Sequence, residues 1–261
     1  MSIDRIQRAF ASTAFVAFIT GGDPSLEATR RYVNLLVDCG VDMVEIGVPF
    51  SDPIAEGPVI QQASQRALAH DTTVHALFDL VRVLREDDGV AIPLAMMTYL
   101  NPVHHYGYDA FFARAAAVGV DALIIPDLPF EEHGEVRSQA SAASVALISM
   151  IAPTSSQRVR MIAAQAEGFI YVVSSLGVTG ARSAITTDIG AMVRDIRSVT
   201  DVPAAVGFGI STPDQAHSMA TQADGVIVGS AIVDLIARHG EQADAAIADF
   251  VRPMVEAAHC G

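Results

Sequence analysis

The chain has 261 residues, a formal charge of −14 and 51% hydrophobic content. So acidic a balance argues against nucleic acid and anionic membranes as partners, and apolar runs of only about 5–8 residues are too short to span a bilayer. All 16 basic residues are arginine, which removes Schiff-base aldolase chemistry and covalent attachment of pyridoxal phosphate, since both need a lysine amine. Two cysteines, Cys39 and Cys260, make no disulfide framework. Together with an N-terminus that lacks a long apolar signal core, they lead us to expect a cytoplasmic protein.

Short β-rich apolar runs alternate with helical patterns along the chain. The predicted strands are 15–20, 43–49, 93–99, 122–127, 146–152, 169–175, 203–209 and 225–230. Amphipathic stretches such as L-E-A-T-R-R-Y-V-N-L-L-V-D and S-Q-R-V-R-M-I-A-A-Q-A lie between them. Gly40, Gly119 and Gly168 are expected to cap helix ends. Eight strand-then-helix units with no break in composition predict an α/β fold, a single (β/α)8 TIM barrel spanning residues 1–261 as one domain. An open doubly wound sheet fits less well, because no strand is followed by G-x-G-x-x-G. Barrels of this kind carry their chemistry on the loops after the strands. Here those loops hold G-G-D-P, P-F-S-D-P-I-A-E-G-P, T-Y-L-N-P, P-D-L-P-F-E-E, S-S-L-G-V-T-G-A-R, G-F-G-I-S and V-G-S-A-I-V.

The second strand, V-D-M-V-E-I-G-V, reads as buried on both faces, yet carries Glu45. A charge there costs several kcal/mol or so unless paired or protonated, so chemistry is the better reason for it. The following loop places Glu56 just before a helix. One carboxyl buried and one beside a helix N-terminus should be tuned in opposite directions and divide acid and base roles. At the far end of the chain, G-F-G-I-S-T-P, V-G-S-A-I-V and G-V-T-G offer free backbone N–H groups and the Ser230 hydroxyl to a phosphate.

These motifs, in order over nearly the whole chain, resemble the tryptophan synthase α-subunit family. The resemblance rests above all on V-E-I-G-V-P-F-S-D-P-I-A-E-G-P and Y-V-V-S-S-L-G-V-T-G-A-R. It implies a carbon–carbon lyase of tryptophan biosynthesis that splits indole-3-glycerol phosphate into indole and glyceraldehyde 3-phosphate. It also implies a β-subunit partner in an αββα heterotetramer, with pyridoxal phosphate on that partner and no cofactor or metal on this chain. Carried over by position, Glu45 resembles the general acid–base glutamate, and Tyr171 an active-site tyrosine near the glycerol part of the substrate. Glu56 takes the place of the second catalytic carboxylate, which in the family is an aspartate. Gly180, Gly209, Gly229 and Ser230 match phosphate-binding positions. Phe18, Met97, Ile124, Ile151 and Phe208 match the indole pocket, and Asp52 and Pro53 a segment that meets the β subunit.

The chemistry is consistent with the residues present. Retro-aldol cleavage needs a base for the C3′ hydroxyl and an acid for indole C3, and the indole ring serves as its own electron sink. His104 and His105, adjacent on a predicted loop, are a poor metal site. Asp127 is expected to organise its loop, Asp23 to sit in a turn that supports the Glu56 loop, and Glu86-Asp87-Asp88 to be a solvated helix end. Arg182 fits either a phosphate contact or a loop salt bridge. Two other readings remain at this point: a weakly catalytic subunit that mainly binds and activates a β subunit, and a free-standing indole-releasing lyase. The departure at Glu56 sharpens the choice. Its extra methylene moves the carboxylate by roughly 1.5 Å, and a misplacement near 1 Å costs on the order of a hundredfold in rate unless the loop shifts back.

Overall fold

The computed structural model describes residues 2–173, 188–207 and 209–261. Gly180, Arg182 and Phe208 lie outside the described residues. Nine parallel strands form one sheet: β1 Ala14–Thr20, β2 Met43–Gly47, β3 Leu94–Met97, β4 Ala122–Ile124, β5 Ala146–Leu147, β6 Ser149–Ile151, β7 Ile170–Val173, β8 Ala204–Gly207 and β9 Gly225–Val228. Their order is β5-β4-β3-β2-β1-β9-β8-β7-β6. The two ends of that order are halves of the predicted fifth strand, split at Ile148, so the sheet closes on itself. Its first half pairs with β4 and its second with β7, the hand-over of neighbours that the stagger of a closed barrel requires. The second, third, fourth and eighth predicted strands ran two or three residues too long at their C-terminal ends, while the first ends at Thr20 as expected. Past the last ladder pair the backbone splays into the loops, and Pro49 has no N–H to extend the pairing.

Among the described residues the helices are α1 Ser2–Ala9, α2 Leu26–Asp38, α3 Pro58–Ala69, α4 Val74–Glu86, α5 Leu100–Tyr106 and α6 Tyr108–Val118, followed by α7 Arg137–Ala143, α8 Ser156–Ala163, α9 Ile189–Arg197, α10 Pro213–Ala220, α11 Ser230–His239 and α12 Asp244–His259. Ser25, Thr73, Ser155, Asp188 and Thr212 accept a first-turn N–H and so set five helix starts. Gly119 caps α6 in the left-handed region as expected. Gly168 does not cap a helix: α8 ends at Ala163, and this glycine instead lets the chain pass against Ile148 and Ala146 before β7.

Apolar residues fall into two layers, as alternation along strands buried on both faces dictates. Phe15, Ala17, Val44 and Ile46 pack outward against the helices. Val16, Met43, Ala95, Ala122, Ile148, Tyr171 and Ile227 fill the barrel. The N-terminal mouth is plugged by Ile6 of α1 and by Phe10, whose ring stacks on Phe169 at 5.4 Å. Asp121, fully buried beside this plug, accepts from Arg5 at 2.8 Å, Arg85 at 2.5 Å and the Leu94 N–H at 2.9 Å. One end is thereby shut, and the barrel is left to open at the C-terminal ends of its strands. No helix among the described residues is long and apolar enough to cross a membrane.

Candidate active site

Glu45 sits in the middle of β2, paired in register with Phe18 of β1 and Ala95 of β3. Its side chain is fully buried, and neither carboxylate oxygen has a hydrogen-bond partner among the described residues. Desolvation pushes its pKa up to about 8, so at neutral pH this carboxyl holds its proton. Tyr171 of β7 shares the barrel interior, its phenol pushed well above the ordinary range by burial and, second, by the charge of Glu45. Glycine at 207 makes room for it, since a Cβ there would lie 2.6 Å from the Tyr171 hydroxyl. Gly47 does the same for Phe18, whose ring would meet a Cβ at 2.6 Å.

Above this floor opens a cleft lined by Phe18, Ile60, Met97 and Met150 and reached by Glu56 and Tyr171. Its mostly apolar wall suits a small aromatic ring. At one end lie Gly209, with φ of +92°, and Gly229 and Ser230, where α11 begins. The first N–H groups of a helix have no acceptors within it, and with the helix dipole they make an anion site.

Glu56 comes from the loop between β2 and α3. It precedes Gly57, which is the N-cap, and Pro58, the first helical residue. Tyr99, just past β3, donates its hydroxyl hydrogen bond to Glu56 Oε2 and accepts the N–H groups of Ile54 at 3.0 Å and Ala55 at 2.8 Å. Burial raises the Glu56 pKa, and the Tyr99 hydrogen bond opposes it. The expected opposite tuning of the two carboxyls is therefore incorrect. Both move up, Glu45 without a compensating partner, because desolvation at Glu56 outweighs a helix terminus one residue further on.

Supporting residues fix the loops. Asp127 accepts the Leu100 N–H at 2.9 Å, as a loop organiser should. Asp23 binds Arg66 of α3 through two bonds of 2.8 Å, tying the helix that follows Glu56 to the loop after β1. Asp88 is not simply solvated, for it grips Arg30 and Asn34 and joins α4 to α2. His104 and His105 lie on α5 rather than on a loop, both exposed, and no metal-binding cluster occurs among the described residues.

The structure thus gathers Glu56, Tyr171, Phe18, Met97, Gly209, Gly229 and Ser230 on one cleft, with Glu45 covered rather than lining it. Ile124 lies in the barrel interior and does not reach the cleft wall. Ile151 faces outward into the helix layer, and Met150 takes the wall position. The parity Ala146, Ile148, Met150 would have revealed this, but a run apolar on both faces hides which face is which. Ile60 and Pro126 also line the cleft and were not singled out in the sequence. Asp52 is exposed and Pro53 half-buried at the tip of the Glu56 loop, beside Ile54, which is 74% exposed.

A family model described as "Tryptophan synthase alpha chain" matches residues 6–259. The tryptophan synthase alpha chain of Lactiplantibacillus plantarum is 51% identical over 242 residues, covering 92% of this chain and 90% of that protein. Among solved structures, tryptophan synthase subunit alpha from Legionella pneumophila superposes with a TM-score of 0.89 at 36% identity, over 100% of this chain and 99% of the other. A chain of the tryptophan synthase complex from Pyrococcus furiosus superposes with a TM-score of 0.84 at 30% identity, over 94% of this chain and 98% of the other.

Proposed function

The chain belongs to the tryptophan synthase alpha chain family, and from that premise we propose that it cleaves indole-3-glycerol phosphate to indole and glyceraldehyde 3-phosphate through Glu45 and Glu56. The observation that carries the assignment of roles is the fully buried Glu45 carboxyl, without a hydrogen-bond partner among the described residues, beneath a cleft that ends in a helix N-terminus. The phosphate is held by the backbone at Gly209 and Gly229 and by Ser230, with Gly180 as a fourth contact. The indole ring lies between Phe18, Met97 and Met150.

Glu45, protonated at neutral pH, delivers its proton to indole C3, while Glu56 takes the ring N–H. The resulting indolenine accepts the electron pair of the C3–C3′ bond. Glu45, now a carboxylate, takes the C3′ hydroxyl proton as that carbon becomes the aldehyde, and the ring nitrogen regains its proton from Glu56. Every proton is returned, so the cycle closes without a cofactor. Because Glu45 is fully covered, its exposure to substrate is the conformational step that precedes chemistry. Tyr171, whose phenol stays neutral, fills the floor beside the glycerol chain.

The loop tip Asp52-Pro53-Ile54, exposed at Asp52 and Ile54, is the surface we assign to a β-subunit partner that carries pyridoxal phosphate, in an αββα assembly in the cytoplasm. Indole release by the purified chain, alone and with a cognate β subunit, tests this reading. We expect measurable release alone and at least a tenfold rise with the partner. Equal rates would indicate a free-standing lyase, and no release in either state a subunit that only activates its partner.

A further inference from the structure

We propose that Tyr99 is a positioning residue for Glu56, its hydroxyl holding the carboxylate in place and fixing it as a hydrogen-bond acceptor. The proposal rests on the catalytic role assigned to Glu56 above. A phenolic hydroxyl has one proton and two lone pairs. In Tyr99 the lone pairs receive the N–H groups of Ile54 and Ala55, so the single proton has one destination, Glu56 Oε2. The direction of the network is thus set: Glu56 must accept. A carboxylate kept as an acceptor retains lone pairs that can receive a ring N–H, which is the task the mechanism gives it.

The anchor itself is rigid. Tyr99 is 3% exposed, its ring stacks on Phe50 at 5.0 Å, and it follows directly from β3, with the Leu100 N–H held by Asp127. The loop bearing Glu56 is otherwise open to solvent at Asp52 and Ile54. One hydroxyl therefore binds the loop to the barrel at three points, and draws the head of the glutamate towards β3. The same bond opposes the rise in Glu56 pKa caused by burial, so removing it should make Glu56 harder to ionise.

Tyr99→Phe keeps the ring and removes only the hydroxyl. We expect kcat for indole release to fall at least tenfold, with KM and the Kd for glycerol 3-phosphate changed less than twofold. The acidic limb of the kcat–pH profile should move to higher pH, because a Glu56 of raised pKa ionises later. Unchanged kcat would overturn the proposal. So would a joint loss of turnover and glycerol 3-phosphate binding with the acidic limb unmoved, since that marks a merely structural tyrosine. Glu56→Gln, assayed alongside, separates the two levels. If it keeps parental turnover, the role of Glu56 fails and the Tyr99 proposal with it. If it loses turnover while Tyr99→Phe does not, only the Tyr99 proposal falls.

Discussion

Glu45 costs the folded protein stability in proportion to how far its proton affinity has been raised. Between its unfolded pKa near 4.5 and its folded value of about 8, the native state binds a proton that the unfolded chain releases. Stability that is fully present below the lower value is therefore lost as pH rises through the upper one, by up to about 1.4 kcal/mol per pH unit in between. Glu45→Gln cannot titrate, so its thermal unfolding temperature should fall less steeply than the parent's from pH 5 to pH 8. Parallel curves would mean that Glu45 is ionised and paired in solution. At this scale the sequence was legible where a residue contradicted its surroundings. A glutamate in V-D-M-V-E-I-G-V announces itself. Met150 does not, because on a strand apolar to both sides nothing local tells inward from outward. Nor does Tyr99, which works through a loop 43 residues earlier in the chain.

At the scale of elements, the proposed anion site depends on α11 starting where it does. Gly229 precedes the helix with no side-chain cap, and a Cβ there would meet Phe18 at 3.1 Å. Gly229→Asp would place a negative charge at the helix start and crowd the cleft wall. The expected result is at least a tenfold loss of glycerol 3-phosphate affinity by calorimetry, about 1.4 kcal/mol, with the far-ultraviolet spectrum of the parent retained. Parental affinity would remove this terminus from the phosphate site. Strand positions were readable from the alternation of apolar runs and glycine- or proline-rich loops. Their ends were not, because the last ladder bond is set by the neighbouring strand. The split of the fifth strand at Ile148 was likewise invisible, as it follows from barrel closure and not from any residue in A-L-I-S-M-I.

The molecule as a whole is a barrel closed at one mouth, with the proposed site at the other. Ile6, Phe10 and the Arg5–Asp121–Arg85 cluster seal the N-terminal end, so the mouth left open is the one where the loops after the strands gather. α1 was not foreseen, since a short polar-faced segment before the first strand has little to mark it until the barrel supplies the hole it fills. The absence of lysine bears on the whole chain: no lysine imine can form on it, and the proposed reaction falls to its carboxylates. That claim is tested most directly by indole release from indole-3-glycerol phosphate in parent and Glu45→Gln protein, with glycerol 3-phosphate binding measured on both. Removing a positioned acid–base group should lower kcat by at least about a hundredfold while the binding constant stays within twofold. Turnover within tenfold of the parent, at equal binding, would contradict the account.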